Sequence, residues 1–383
     1  MSPARSPIIG LSCASYLGTE PSGIPGGGAS NLNLSPPCIQ LESIGLSMPY
    51  YMIGDDVDNP DRPFVILEDV IGKALARSEL DQQEIAKTGL LIGSSSYDLH
   101  RSETAYQQQL EAEVESPIAV PFTGHHRLGE WIGERFAISS EAFNISSACT
   151  SSANALLLAH NMLSQGRLDH ALVVGIELFN ETTLCGFAGL QLLASHRIAP
   201  FDPARDGVIL GESCSAVVLS ARNDGHPAPL ALLGGSSCAD PYSITSANPD
   251  GSTIARVLKD AMQETRIEKS AVRAIKAHGT ATLMNDTAEA RGIAAAFPDA
   301  IPPVTAIKPY TGHTLGACGT LELALFGNAL TRGFIPHTPN FENADPELDL
   351  SPLNNDADAD SGIYLLNYFG FGGSNTVVVM EKA

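Results

Sequence analysis

Cys149 stands in a run of small and hydroxylated residues, Asn-Ile-Ser-Ser-Ala-Cys-Thr-Ser-Ser-Ala-Asn (144–154), with an apolar stretch directly behind it. Thr150, Ser151 and Ser152 are residue types that start helices, because their hydroxyls can accept bonds from first-turn amides. A cysteine at that mouth feels the positive end of the helix dipole, which favours thiolate over thiol and prepares it for nucleophilic attack. Taken alone, the same cysteine also fits a small buried side chain in a tight turn. Three further segments hold chemically competent residues beside glycine: Lys276-Ala-His278-Gly-Thr280-Ala-Thr282-Leu-Met-Asn-Asp286, Ala306-Ile-Lys308-Pro-Tyr-Thr-Gly-His313 running on to Glu322, and Asn367-Tyr-Phe-Gly-Phe371-Gly-Gly-Ser-Asn375. The first two follow predicted strands, and strand ends of an α/β sheet are where such folds build sites.

The elements that must position these residues follow from hydrophobic pattern. The run 153–163 leaves no wide polar face and predicts a buried helix, stopped at Gly166; 171–178 predicts a buried strand. Upstream, 7–18 reads as a first strand and turn, 64–78 as a helix and 89–93 as a short buried strand, after which 94–115 turns polar. Gly23 to Asn31 is glycine-rich but lacks the GK[ST] ending of a phosphate loop. A helix is expected at 186–195, a loop at 201–207 and a strand at 216–220. The stretch 222–229 is the expected hinge, dividing the chain into halves 1–222 and 223–383. The second half repeats the alternation: strands at 230–234, 273–277 and 303–306, helices at 251–265, 285–296 and 315–331, and a closing hairpin of 363–368 with 376–381. Glu342 to Ser361 is acidic and turn-rich, which predicts a solvated loop.

Composition narrows the class. The chain has 383 residues, 44% hydrophobic and 17% charged, which describes a packed α/β protein rather than a disordered one, and its two consecutive strand–helix halves suggest internal duplication. Seven cysteines without a CxxC pair argue for reduced thiols and against a disulfide frame or zinc site, so no metal is expected. A formal charge of -21 makes nucleic acid an unfavourable partner. No apolar run reaches membrane-spanning length, and the N-terminus lacks the apolar core of a signal peptide; a cytoplasmic setting is expected.

In their order along the chain, Ser-Ala-Cys-Thr-Ser-Ser, His-Gly-Thr-Ala-Thr, Lys-Pro-Tyr-Thr-Gly-His with Gly-Ala-Cys-Gly, and Asn-Tyr-Phe-Gly-Phe-Gly-Gly-Ser-Asn resemble the β-ketoacyl synthase (ketosynthase) family of the thiolase-like fold. Phe201-Asp-Pro-Ala-Arg-Asp-Gly and Leu210-Gly-Glu fit as well, and the likeness runs from about Leu90 to the C-terminus. The resemblance implies a five-layer αβαβα core of two pseudo-equivalent halves, usually dimeric, performing decarboxylative Claisen condensation. It implies substrates carried on the phosphopantetheine of an acyl carrier protein, with no bound cofactor. Cys149 would be the nucleophile, and the amides of Cys149 and Phe371 the oxyanion hole. His278 and His313 would stabilise the enolate left by malonyl decarboxylation, provided each presents an N–H. Lys308 would give electrostatic support, Asp286 and Glu322 would orient Lys308 and the histidine loops, and Thr280 and Thr282 would hold the pantetheine arm.

Departures from the family pattern point to a specialised pathway. The first strand lacks a Val-rich opening with a Thr-Gly turn, the chain is short for the family, and Pro309 and Tyr310 replace small residues. The polar stretch Ser94 to Gln109, where relatives line the acyl tunnel near the dimer partner, implies a pocket for a rigid, unsaturated or aryl-ended chain, as in aryl-polyene systems. Attraction to an acidic carrier would need a local basic patch, with Arg205 first and Lys73 and Arg77 next. A non-catalytic chain-length factor, which pairs with an active ketosynthase, is the alternative, and Cys149 with both histidines argues against it. A thiolase would carry a second cysteine in a C-terminal Cys-x-Gly turn, and here Phe-Gly-Phe-Gly-Gly stands there.

Overall fold

The computed structural model describes residues 4–26, 34–41, 45–54, 56–57, 59–97, 99–112, 124–221 and 228–383. In chain order come β1 (Ser6–Ser15), the ribbon β2 (Cys38–Leu41) and β3 (Leu46–Pro49), α1 (Arg62–Ser78), α2 (Gln82–Lys87) and β4 (Gly89–Gly93). Helices α3 (Leu99–Glu111) and α4 (Gly124–Phe136) lead to β5 (Ala142–Ile145), α5 (Ser151–Ser164), β6 (His170–Glu177), α6 (Glu181–Gly189) and β7 (Ser213–Ser220). Then follow β8 (Leu230–Ala239), α7 (Ser252–Glu264), β9 (Val272–Lys276), α8 (Leu283–Ala296), β10 (Val304–Thr305), α9 (Lys308–Thr311) and α10 (Cys318–Thr331). A small ribbon, β11 (Phe334–Ile335) with β12 (Ala357–Asp358), precedes the hairpin β13 (Gly362–Gly370) and β14 (Ser374–Lys382).

Ten strands are hydrogen-bonded in the order β10-β9-β13-β14-β8-β1-β7-β6-β4-β5. Read outward from the β8–β1 junction, both directions show the same pairing. On one side β1–β7 and β7–β6 are antiparallel, then β6–β4 and β4–β5 parallel. On the other, β8–β14 and β14–β13 are antiparallel, then β13–β9 and β9–β10 parallel. One five-strand unit therefore occurs twice. The expected hinge falls mostly outside the described residues, as does most of the glycine-rich stretch 23–31.

Side-chain alternation turns this sheet into five layers. In β13, Tyr364, Leu366 and Tyr368 point to the central core, whereas Ile363, Leu365 and Phe369 point to the outer one. The central core holds α5 and α10, whose apolar faces meet both halves of the sheet. Helices α7 and α8 cover the outer face of one half; α1 and α4 cover that of the other. Because both its faces are covered, β6 is buried from end to end, which is why it reads as a continuous apolar run.

Several boundaries differ from the sequence pattern. The helix expected at 186–195 is Glu181–Gly189, started by Asn180, whose side chain accepts from Thr183 N. The polar stretch after β4 contains α3, with none of its residues buried. Strand β8 runs on to Ala239 because Ser236 to Ala239 continue the ladder with β14. The segment at 315 begins as a tight 3-10 turn before α10 starts at Cys318.

Candidate active site

Cys149 lies in the turn between β5 and α5, 6% exposed. Ala148 before it adopts the left-handed conformation, φ 49°, which sharpens the turn and aims the thiol away from the helix. The hydroxyls behind it do not cap the helix as expected. Thr150 has no cap bond; its Oγ1 donates to Ser147 O at 2.7 Å and pairs with Ser374 Oγ at 2.7 Å. Ser151 Oγ donates to Ala148 O, and Ser152 Oγ accepts from Thr320 N at 3.2 Å. They lock the nucleophile's turn onto β14 and α10 instead. Helix α10 can come so close only because Gly319 has no Cβ, which would lie 2.2 Å from Ala153 N.

His313 follows α9 and faces the thiol, its Nε2 3.1 Å from Cys149 Sγ. Its backbone is pinned by His313 N donating to Ile209 O at 2.8 Å, and Gly312 before it turns at φ 75°. The ring of His278, just after β9, stands edge-on to that of His313 with centroids 5.3 Å apart. Lys308 Nζ lies 3.2 Å from His278 Nδ1 and 2.6 Å from Glu322 Oε1. An ammonium can only donate, so Nδ1 of His278 must accept, and the ring's single N–H sits on Nε2. The loop after β13 closes the site. Both the Phe371 and the Cys149 amides are directed at Cys149 Sγ, and Phe371 stacks on Phe187 at 5.4 Å.

Electrostatics correct the expected thiolate. Burial pushes the Cys149 thiol up to about 12, outweighing Lys308 and the two amides. Burial, aided by Lys308, likewise holds both histidines well below the usual imidazole range, so both are neutral. Burial works against the Lys308 ammonium, but Glu322 beside it holds its pKa above the ordinary lysine value. The resting pair is thus a thiol against a neutral imidazole.

Thr280 and Thr282 pair through their hydroxyls at 2.9 Å and line a cavity of about 260 Å³ that reaches Cys149, His278 and His313. Asp286 lies one step back, accepting from Phe201 N at 2.8 Å and Ala281 N at 3.2 Å, and burial raises its carboxyl to about 7. It shapes the loops around His278 without touching Lys308. Glu322 does touch Lys308, and it also pairs with Lys276. Arg205 is no docking charge: its guanidinium is buried against Asp345 at 2.6 Å and the Asp202 carbonyl. Lys73 and Arg77 stand on α1 and pair with Asp69 and Glu20.

Three residues, Lys276, Glu289 and Glu177, carry parts of the site that sequence reasoning did not assign. Lys276 Nζ is fully buried, bonded to Glu322 and to Asn367 O, and lies 3.9 Å above the Tyr368 ring. Glu289 accepts from His278 N at 2.8 Å and Gly279 N at 2.9 Å, with Asn367 Nδ2 on the same carboxylate. Glu177 takes the hydroxyls and amides of Ser95 and Ser96 and the Ser94 hydroxyl. The signal for Lys276 was its place two residues before His278. For Glu289, it was a carboxylate on α8 three residues after Asp286 and set between Ala288 and Ala290.

Two equivalent halves in five layers, with a cysteine at the mouth of a central helix, make the chain a thiolase-like α/β protein. Residues 55–225 match the family "Beta-ketoacyl synthase, N-terminal domain" and residues 231–342 match "Beta-ketoacyl synthase, C-terminal domain". The chain is 28% identical over 322 residues to 3-oxoacyl-[acyl-carrier-protein] synthase 2 of Vibrio cholerae, covering 79% of this chain and 78% of that protein. It is 27% identical to the Staphylococcus aureus protein of the same name, covering 80% and 78%. Among solved structures, a type II PKS acyl-carrier protein in complex with its ketosynthase superposes with TM-score 0.88 at 22% identity, covering 100% of both chains. A ketosynthase in complex with its chain length factor from Xenorhabdus doucetiae gives 0.84 at 23%, covering 99% and 98%. The chain belongs to the β-ketoacyl synthase family, and its activity is that of an acyl-transferring ketosynthase.

Proposed function

We propose that Cys149 takes an acyl group from a carrier-bound thioester and that His278 and His313 then drive decarboxylative condensation with malonyl carrier protein. One observation carries this reading: Cys149 Sγ and the two imidazoles meet at one end of a single cavity. In the first half-reaction Sγ attacks the acyl carbonyl while its proton passes to His313 Nε2. That proton is returned to the departing pantetheine thiolate, so acid and base balance. The oxyanion formed sits against the Cys149 and Phe371 amides.

In the second half-reaction the malonyl carboxylate leaves as carbon dioxide, and its bonding pair forms an enolate. Once Cys149 is acylated it no longer donates to His313 Nε2, so the neutral ring shifts its single N–H from Nδ1 to Nε2. His278 and His313, each now with its N–H on Nε2, donate to the enolate oxygen. The enolate carbon attacks the acyl-Cys149 carbonyl; collapse expels the Cys149 sulfur, which takes from solvent the one proton consumed per turnover, and releases the β-ketoacyl thioester. Lys308, fixed by Glu322, holds His278 in the donating tautomer. Thr280 and Thr282 hold the pantetheine arm. No cofactor is needed, because decarboxylation itself supplies the carbanion.

The partners are an acyl carrier protein and a second ketosynthase-like chain, identical or a chain-length factor, in the cytoplasm. Edge strand β5, with Phe143 38% exposed, supports pairing through that edge. The polar stretch after β4 divides in two. Ser94 to Ser96 cage Glu177, while Tyr97, His100, Thr104 and Gln108 line a second cavity of about 350 Å³ beside Phe179. That mixture of rings and polar groups supports a rigid or aryl-ended chain. His278→Ala and His313→Ala test the central assignment: each should keep measurable acylation of Cys149 while malonyl decarboxylation falls at least about a hundredfold. Loss of acylation with intact decarboxylation would reverse it.

A further inference from the structure

The cavity that ends at Cys149 opens among Gln191, Leu192, Asp206, Asp240, Thr245, Leu283 and Met284. Nine large hydrophobic side chains are exposed among the described residues, and five belong to the segments at this mouth: Leu190, Tyr242, Ile244, Leu283 and Met284. Ile244 is 79% exposed and Leu283 63%, and the clustering of five such side chains around one opening, rather than the exposure of any single one, marks a contact surface. The loop bearing Ile244 is not loose, since its carbonyl accepts from Gly372 N at 2.7 Å, next to Phe371.

Charge at the mouth runs the other way. Among the described residues lining the cavity, the only Lys or Arg side chain is Arg205, and its guanidinium is spent on Asp345. Asp206 and Asp240 add negative charge, in a chain whose formal charge is already -21. Lys73 and Arg77, the other basic candidates, are paired with Glu20 and Asp69.

We infer that the carrier protein docks on this mouth by apolar contact, through Ile244, Tyr242, Leu190, Leu283 and Met284, rather than on a basic patch. This rests on the ketosynthase reading, which requires a pantetheine arm to enter the cavity and its carrier to cover the rim. An acidic carrier approaching this surface is repelled at long range and held only on contact. Screening the field then does not weaken the complex, because the attraction is not coulombic. The matching face of the carrier must itself be apolar.

The test is the dissociation constant of fluorescently labelled host holo acyl carrier protein, read by anisotropy from about 50 to 500 mM NaCl. The wild-type protein should bind equally well or more tightly as salt rises. Ile244→Ser and Leu190→Ser, combined, should weaken binding about tenfold or more, the size expected when apolar anchors are lost at an interface centre. Affinity that falls with salt, or an unaltered constant in the double variant, would overturn the inference. Loading of Cys149 from a small acyl thioester, which needs no docking, reads the ketosynthase assignment separately and should be the same in variant and wild type.

Discussion

At the scale of single residues, the unexpected feature is a nucleophile that rests as a thiol. The helix mouth favours the anion, yet Cys149 is buried, and desolvation outweighs the dipole, the two amides and Lys308 together. The sign fixes a pH profile. A thiol with its pKa near 12 has a vanishing thiolate fraction at neutral pH, so alkylation by iodoacetamide should quicken steadily from pH 7 to about pH 9. A rate that levels off below pH 7 would instead show a preformed thiolate–imidazolium pair. Lys276, Glu322 and Lys308 form a second unit, one carboxylate between two buried ammonium groups. Glu322→Ala leaves both cations unpaired and should cost about 3–5 kcal/mol, seen as a clear drop in melting temperature. Lys276→Met, which leaves Lys308 its partner, should cost less. Equal losses in the two variants would contradict this division of roles.

At the scale of elements, the site depends on how closely α5 and α10 approach. Gly319 lies against Ala153 N, and Gly93 in β4 against Ser152 Cα, where an added Cβ would be 2.3 Å away. Gly319→Ala should therefore destabilise by about 1–3 kcal/mol through overpacking. It should also slow acylation, because it pushes His313's side of the site away from Cys149. A variant as stable as the wild type would mean that the helices have slack. The positions of Cys149, His278, His313 and Phe371 were legible because glycine and small residues mark each turn locally. The contacts that fix them were not. Glu289 grips a loop that begins eleven residues earlier, Lys276 reaches Glu322 and Asn367 across the fold, and Ser152 meets Thr320. Pairings of that kind leave no periodic trace in one chain. The helix-starting hydroxyls misled for the same reason: tertiary partners on β14 and α10 outcompeted the first-turn amides.

At the scale of the whole molecule, duplication explains why the residues converge. Each half places a helix after its parallel edge strand, α5 after β5 and α10 after β10, and these two helices lie together in the central layer. Cys149 precedes one; His313 and the turn into Cys318 precede the other, with Cys318 Sγ donating to Cys149 O at 3.0 Å. The alternation of strands and helices made that layered architecture readable. Its duplicated topology needed the strand order. The net charge of -21 was equally visible, but it led to an expected basic patch, because sequence does not tell which cations already have partners.

The most direct measurement follows the mass of the Cys149 peptide through one turnover. Incubation with acyl carrier protein bearing a saturated, polyenoyl or aryl-ended acyl group should add that acyl mass to the Cys149 peptide and to no other. Malonyl carrier protein should then remove it, with carbon dioxide and the β-ketoacyl carrier appearing in equal amounts, and Cys149→Ala should show neither step. Acyl mass on a different residue, or condensation that persists in Cys149→Ala, would contradict the account.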